Sequence, residues 1–100
     1  MPNADKMPRN AAGRAGLFGA EVTDAEKATR QVASAMDSVN LINDLIAAGD
    51  RADQKLDTIR RNVEHLKIVV ARDVVKNSTE DLAPLNAAAA AGDAFLAAGA

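Results

Sequence analysis

Residues 25–70 read AEKATRQVASAMDSVNLINDLIAAGDRADQKLDTIRRNVEHLKIVV, and the period of their apolar positions decides the fold. Ala25, Ala28, Val32, Ala35, Val39, Ile42 and Ile46 succeed one another at alternating spacings of three and four. Leu56, Ile59, Val63, Leu66 and Val70 repeat the pattern. That spacing lines side chains along one stripe of an α-helix, and an apolar stripe in water must lie against another helix. Between the runs stands Ala47-Ala48-Gly49-Asp50, a helix stop followed by a helix start. The expected fold class is all-α.

Local signals set the ends of the helices. Thr23-Asp24-Ala25-Glu26 has the form of a capping box, in which the Thr hydroxyl accepts from the backbone three residues on while Glu26 reaches back. Gly49 suits the C-terminal cap, and Asp50 is the expected cap of the next helix. Asn77 to Asp81 forms another break, and Pro84 is tolerated only in the first turn of a helix capped near Asp81. The helices are therefore expected over about 24–48, 51–76 and 82–98. Ala88, Ala91 and Ala94 are expected to let the third helix approach a neighbour closely. Residues 1–20 hold two prolines, three glycines and no sustained period, and read as an extended N-terminal arm preceding a helical bundle domain at 21–100.

Two topologies fit the central pattern. With a turn at Gly49-Asp50, the first two helices form an antiparallel hairpin and the shorter third helix folds back on the second. With Gly49 merely tolerated, residues 23–77 form one central helix, about 80 Å long, in a coiled-coil oligomer. Continuing the spacing from Ile46 lands on Gly49, Asp53 and Leu56 and then fails at Arg60. Small or polar residues on the seam and a phase break favour the hairpin.

Composition points to association. Of the 48% of residues that are apolar, 23 are Ala, and only Phe18 and Phe95 are aromatic. Alanine favours helix but contributes little buried area, so a lone copy is expected to be marginal and burial is expected to be completed by neighbours. On a helical wheel Leu41 and Leu45 fall well away from the first stripe, and Phe18 is the aromatic anchor of the arm. These three are the candidate partner contacts. Ile68, Val69 and Val75 also leave the second stripe, but near the end where the third helix and Phe18 would bury them.

Chemistry is not expected. There is no cysteine, so thiol catalysis and thiolate metal sites are excluded. His65 is the sole histidine, and Ser34, Ser38 and Ser78 lie on helices or a cap without a nucleophile turn. The glycines of residues 13–19 are not followed by the Lys-Ser/Thr of a phosphate loop. The chain is read as a non-enzyme without cofactor or metal. A net charge of −2 argues against a chain devoted to coating nucleic acid. No apolar run approaches a membrane span, and no secretory leader is expected. Arg61, His65, Arg72 and Lys76 share a face of the second helix at spacings of four, seven and four. Such a basic stripe suits phosphate or an acidic protein surface; the plainer reading is a solvated face balanced by Asp57, Glu64 and Asp73.

Arg61-Asn62-Val63-Glu64-His65-Leu66, Ala71-Arg72-Asp73, Asp81-Leu82-Ala83-Pro84-Leu85 and Ala91-Gly92-Asp93-Ala94-Phe95 together resemble short helical proteins from the structural gene clusters of tailed bacteriophages. The resemblance covers roughly the last 40 residues and carries over no functional residue. It implies a structural component present in many copies at the tail, a fibre attachment or the capsid surface. Its partners would be itself or other virion proteins, and its location the virion, assembled in the bacterial host cytoplasm. The competing expectation is a small helical regulatory or adaptor protein that binds nucleic acid or an acidic partner through the basic face.

Overall fold

The structure is a computed structural model that describes residues 22–99. Among the described residues it is helical without strands: α1 (Asp24–Ala48), α2 (Asp53–Ala71), α3 (Asp73–Lys76) and α4 (Ala83–Ala98). The expected arm over residues 1–20, and with it Phe18, lies outside the described residues.

α1 is bounded by its caps. Thr23 is extended, its Oγ1 accepts from the Glu26 N–H at 3.1 Å, and Glu26 Oε1 accepts from the Thr23 N–H at 2.9 Å. Two of the donors that a helix start leaves orphaned are satisfied in this way. At the other end Gly49 adopts φ 67°, and its N–H donates to the carbonyls of Leu45 and Ile46 at 3.2 and 3.0 Å. In that left-handed conformation a Cβ would crowd the following carbonyl, so glycine is the residue that can end the helix here. The alternative of one helix over 23–77 is thereby corrected: residues 49–52 are not helical. Asp50 serves the turn rather than the next helix, since its Oδ1 accepts from the Ala52 N–H at 2.9 Å and Ala52 itself occupies the cap position.

The second helix departs from expectation at Arg72, where φ −66° and ψ 135° interrupt the run expected to reach Lys76. Packing explains the break. In an unbroken helix Val69 and Val75 would be separated by about 120° around the axis, on different faces. Both are nevertheless buried, at 1% and 0% exposure. One extended residue re-aims the chain so that α3 turns Val75 inward, and β-branched Val74 and Val75 tolerate the change because their helix preference is weak. α4 then starts with Pro84 in its first turn, while Asp81 Oδ1 accepts from the Ala83 N–H at 3.0 Å.

Helices α1, α2 and α4 each pack against the other two. Their shared core encloses Ile42, Ile59, Val63, Leu66, Val69, Val75 and Leu85 almost completely. Each such side chain contributes roughly 1.5–3 kcal/mol relative to exposure. α4 presents Leu85, Ala88, Ala89 and Gly92 to this core, whereas Ala91 and Ala94 are exposed. The close approach therefore runs through a neighbouring stripe of α4, set by Leu85, its fully buried large side chain. A Cβ at Gly92 would overlap Val63 Cγ2 and lie 3.4 Å from Ile59 Cγ2 and 3.5 Å from Ile42 Cγ2, so the three helices meet at a point with no room for a side chain. Apart from Ala25, which is exposed, the two stripes read from the sequence are buried or half-buried within one copy. The seams do not wait for neighbours.

Candidate functional site

With the seams covered, a recognition surface among the described residues lies on the outer faces of the helices. No polar or charged side chain is buried among the described residues, and no group of three or more His, Cys, Asp or Glu gathers there as a metal site would require. No helix of the described residues is long and apolar enough to cross a membrane.

The two off-seam leucines separate. Leu45 is half-buried and packs on the core, whereas Leu41 is 40% exposed. Asp37 and Asp44 flank Leu41 at spacings of four and three, and both are exposed. Of the three residues expected in the core near the end of α2, Val69 and Val75 are there, but Ile68 is 54% exposed. The sequence carried that signal: Ile68 stands about 140° from Val63, nearly opposite the stripe, and the third helix expected to bury it leaves it uncovered.

Arg61, His65, Arg72 and Lys76 are all exposed. Arg61, His65, Ile68 and Arg72 follow one another at spacings of four, three and four, so the large exposed aliphatic of α2 sits inside the basic stripe. Lys76 lies beyond the break at Arg72, and its place on that stripe is no longer set by the turn of α2. Local carboxylates partly neutralise the face. Arg61 Nε pairs with Asp57 Oδ2 at 2.9 Å, Lys76 Nζ approaches Asp73 Oδ1 at 3.8 Å, and Arg72 Nη1 donates to Gln31 Oε1 at 3.0 Å. Exposed pairs of this kind contribute little stability. They leave the cations able to exchange partners.

Elsewhere charged groups tie elements together. Arg51, in the turn after α1, donates from Nη2 to the Phe95 carbonyl at 2.8 Å and places its guanidinium 4.3 Å from the centre of the Phe95 ring. It thereby satisfies a carbonyl near the C-terminus of α4 and covers its only aromatic ring. Lys67 Nζ meets Asp93 Oδ2 at 3.0 Å, a hydrogen bond and charge that raise the lysine pKa. The hydrogen bonds from the Thr23 backbone and side chain lower the pKa of Glu26. A groove of about 490 Å³ opens beside the start of α1, lined by Asp24, Asp73, Asn77, Ser78, Thr79 and Glu80 among others. Its three carboxylates oppose the binding of an anion at that helix end.

No protein-family model matches this chain, and no curated protein and no solved structure matches it either.

Proposed function

We propose that this chain is a non-enzymatic structural or assembly protein, present in many copies in a tailed-phage particle, at the tail, a fibre attachment or the capsid surface. The finer architecture belongs to the same reading: α1 and α2 form an antiparallel hairpin, α4 lies alongside as the shorter partner, and residues 1–20 act as an arm. The hydrogen bonds from Arg72 to Gln31 and from Arg51 to the Phe95 carbonyl support that arrangement, because they join opposite ends of successive helices.

The observation that carries the functional reading is the combination, among the described residues, of an interior without polar side chains and two large aliphatic side chains, Leu41 and Ile68, left on otherwise charged outer faces. A catalytic site gathers perturbed or buried polar groups in a cleft, whereas a scaffold works through its surface. The resemblance to small virion proteins agrees with this. The test is fractionation of the phage particles with antibody detection of the chain, combined with sedimentation of the purified full chain. Co-purification with particles in a fixed ratio to a known structural protein is expected. Absence from particles, together with a monomer at all concentrations, overturns the reading.

The adaptor reading draws on the exposed cations Arg61, Arg72 and Lys76. Salt-sensitive binding to DNA that weakens in an Arg61→Ala, Arg72→Ala double variant would favour it over the virion role.

A further inference from the structure

We infer that the groove beside the start of α1 is the docking site for the segment Arg14 to Phe18 of the same chain, with Phe18 laid over Ala25 and Val74 and Arg14 meeting the groove's carboxylates. The inference goes beyond the structural role proposed above and rests only on the reading of residues 1–20 as an arm anchored by Phe18.

The buried stripe of α1 runs out into this groove. Ala28 and Val32 are buried, yet Ala25, one turn earlier on the same stripe, is exposed. It lines the groove together with Val74, which is half-buried beside the core residue Val75. The first turn of the seam therefore presents apolar surface that the other described helices leave uncovered. An apolar side chain laid there extends the core by one turn. At about 490 Å³ the groove lies within the range of about 300–1,000 Å³ that encloses small molecules, so it has room for an aromatic ring.

The rest of the lining has charge of one sign. Asp24, Asp73 and Glu80 supply carboxylates, and among the described residues no lysine or arginine lines the groove. Lys27 and Lys76 approach Asp24 and Asp73 only at 4.0 and 3.8 Å, and those two acidic side chains are 90% and 89% exposed. Such loose exposed pairs contribute little and exchange partners readily. Glu80 is half-buried, and its Oε2 accepts from Thr29 Oγ1 at 2.9 Å. The start of α1 adds partial positive charge, which Asp24 and Glu26 offset. The groove thus suits an apolar side chain accompanied by a cation.

The chain carries that combination immediately before α1. Residues 1–20 hold three cations, Lys6, Arg9 and Arg14, against one carboxylate, Asp5, with Glu21 the next acid along the chain. Leu17 and Phe18 are adjacent bulky apolar residues, and Arg14 precedes Phe18 by four. The described chain begins at half-buried Val22, three residues before Ala25. Phe18 stands four residues before Val22, so it reaches up to about 14 Å from it. A segment tethered this closely acts at an effective concentration on the order of mM, which favours the copy's own arm over that of a second copy. Phe18 then closes the core of its own molecule.

The experiment is NMR of the isotope-labelled full chain, with Phe18→Ala and Arg14→Glu variants whose folding is verified by far-UV circular dichroism. In wild type, nuclear Overhauser contacts from the Phe18 ring to the Ala25 methyl and the Val74 methyls are expected. In a mixture of labelled and unlabelled chain, filtered spectra should place those contacts within one copy. Phe18→Ala should remove the ring-current displacement of the Ala25 methyl resonance and lower Tm by about 5 °C through lost burial. Arg14→Glu should weaken the Phe18 contacts at low salt, and added salt should lessen that loss. Absence of any contact from the Phe18 ring to Ala25 or Val74 in wild type overturns the inference, whatever the variants do. Contacts found only between copies also overturn it, because they assign the groove to a neighbour's arm. Contacts as strong in Arg14→Glu as in wild type remove the charge pairing, and with it the choice of occupant. None of these readouts depends on particle association, so the structural role is decided separately by detection in particles.

Discussion

Replacing Gly92 by alanine tests the packing of the whole bundle, because elementary helix preference and tertiary packing give opposite signs there. In a solvent-exposed helix interior, Gly→Ala stabilises by about 1 kcal/mol. At position 92 the added methyl overlaps Val63 Cγ2, with Ile59 Cγ2 and Ile42 Cγ2 already at 3.4 and 3.5 Å. Val63 is 1% exposed and β-branched, so it has essentially one helical rotamer and nowhere to turn. Forcing a methylene into a filled core costs about 1–3 kcal/mol. Taking the middle of that range, the net effect of Gly92→Ala is a loss of about 1 kcal/mol, or about 4–8 °C in Tm for a domain of this size. Val63→Ala alone should cost about 2 kcal/mol through lost burial and a residual cavity. In the double variant the new methyl occupies part of the vacated space, so the losses should fall short of their sum by about 1–2 kcal/mol. Urea and thermal melts followed by circular dichroism at low protein concentration measure all four corners of the cycle. A stabilised Gly92→Ala variant, or a cycle additive within about 0.5 kcal/mol, refutes the three-helix contact at Gly92.

Gly49→Ala should destabilise by about 1–2 kcal/mol through backbone strain at φ 67°, since no atom lies within 4 Å of the added Cβ to confuse the reading; an unchanged melt would show that the cap is not left-handed. Glu26 has its folded pKa lowered by hydrogen bonds from Thr23, so its contribution is present above the ordinary glutamate pKa and is lost as pH falls through the depressed value. Glu26→Gln keeps the capping geometry and removes the titration, so the acid limb of a stability–pH curve should become shallower; an identical limb contradicts the assignment.

Much of this molecule is readable before folding is considered. The capping box at Thr23 and Glu26, the stop at Gly49 and the placement of Pro84 depend on backbone groups within a few residues, so local sequence is sufficient. The buried residues of α1, and those of α2 apart from Val69, follow from helical period alone. Ile68 departs from expectation: the third helix expected to cover it does not, and its angle from the stripe leaves it exposed. The break at Arg72 could not be read in the same way, since no proline or glycine marks it; it exists because Val75 finds a place in the core that an unbroken helix would deny it. The same holds for α4. Its alanines offer several equivalent faces, and the choice of Leu85, Ala88, Ala89 and Gly92 was made by the shape of the other two helices. Composition likewise suggested a core too thin for one copy, whereas three mutually packed helices cover both stripes apart from Ala25 and, among the described residues, leave Leu41 and Ile68 as the large aliphatics substantially outside. Sequence by itself determined where α1 starts and stops, where α4 starts and which helix faces turn greasy, because those are short-range properties of the backbone and of 3.6-residue periodicity. Which faces are covered, and hence which are free to meet a neighbour, was decided only by the tertiary structure, because burial depends on residues far apart in the chain arriving at one place.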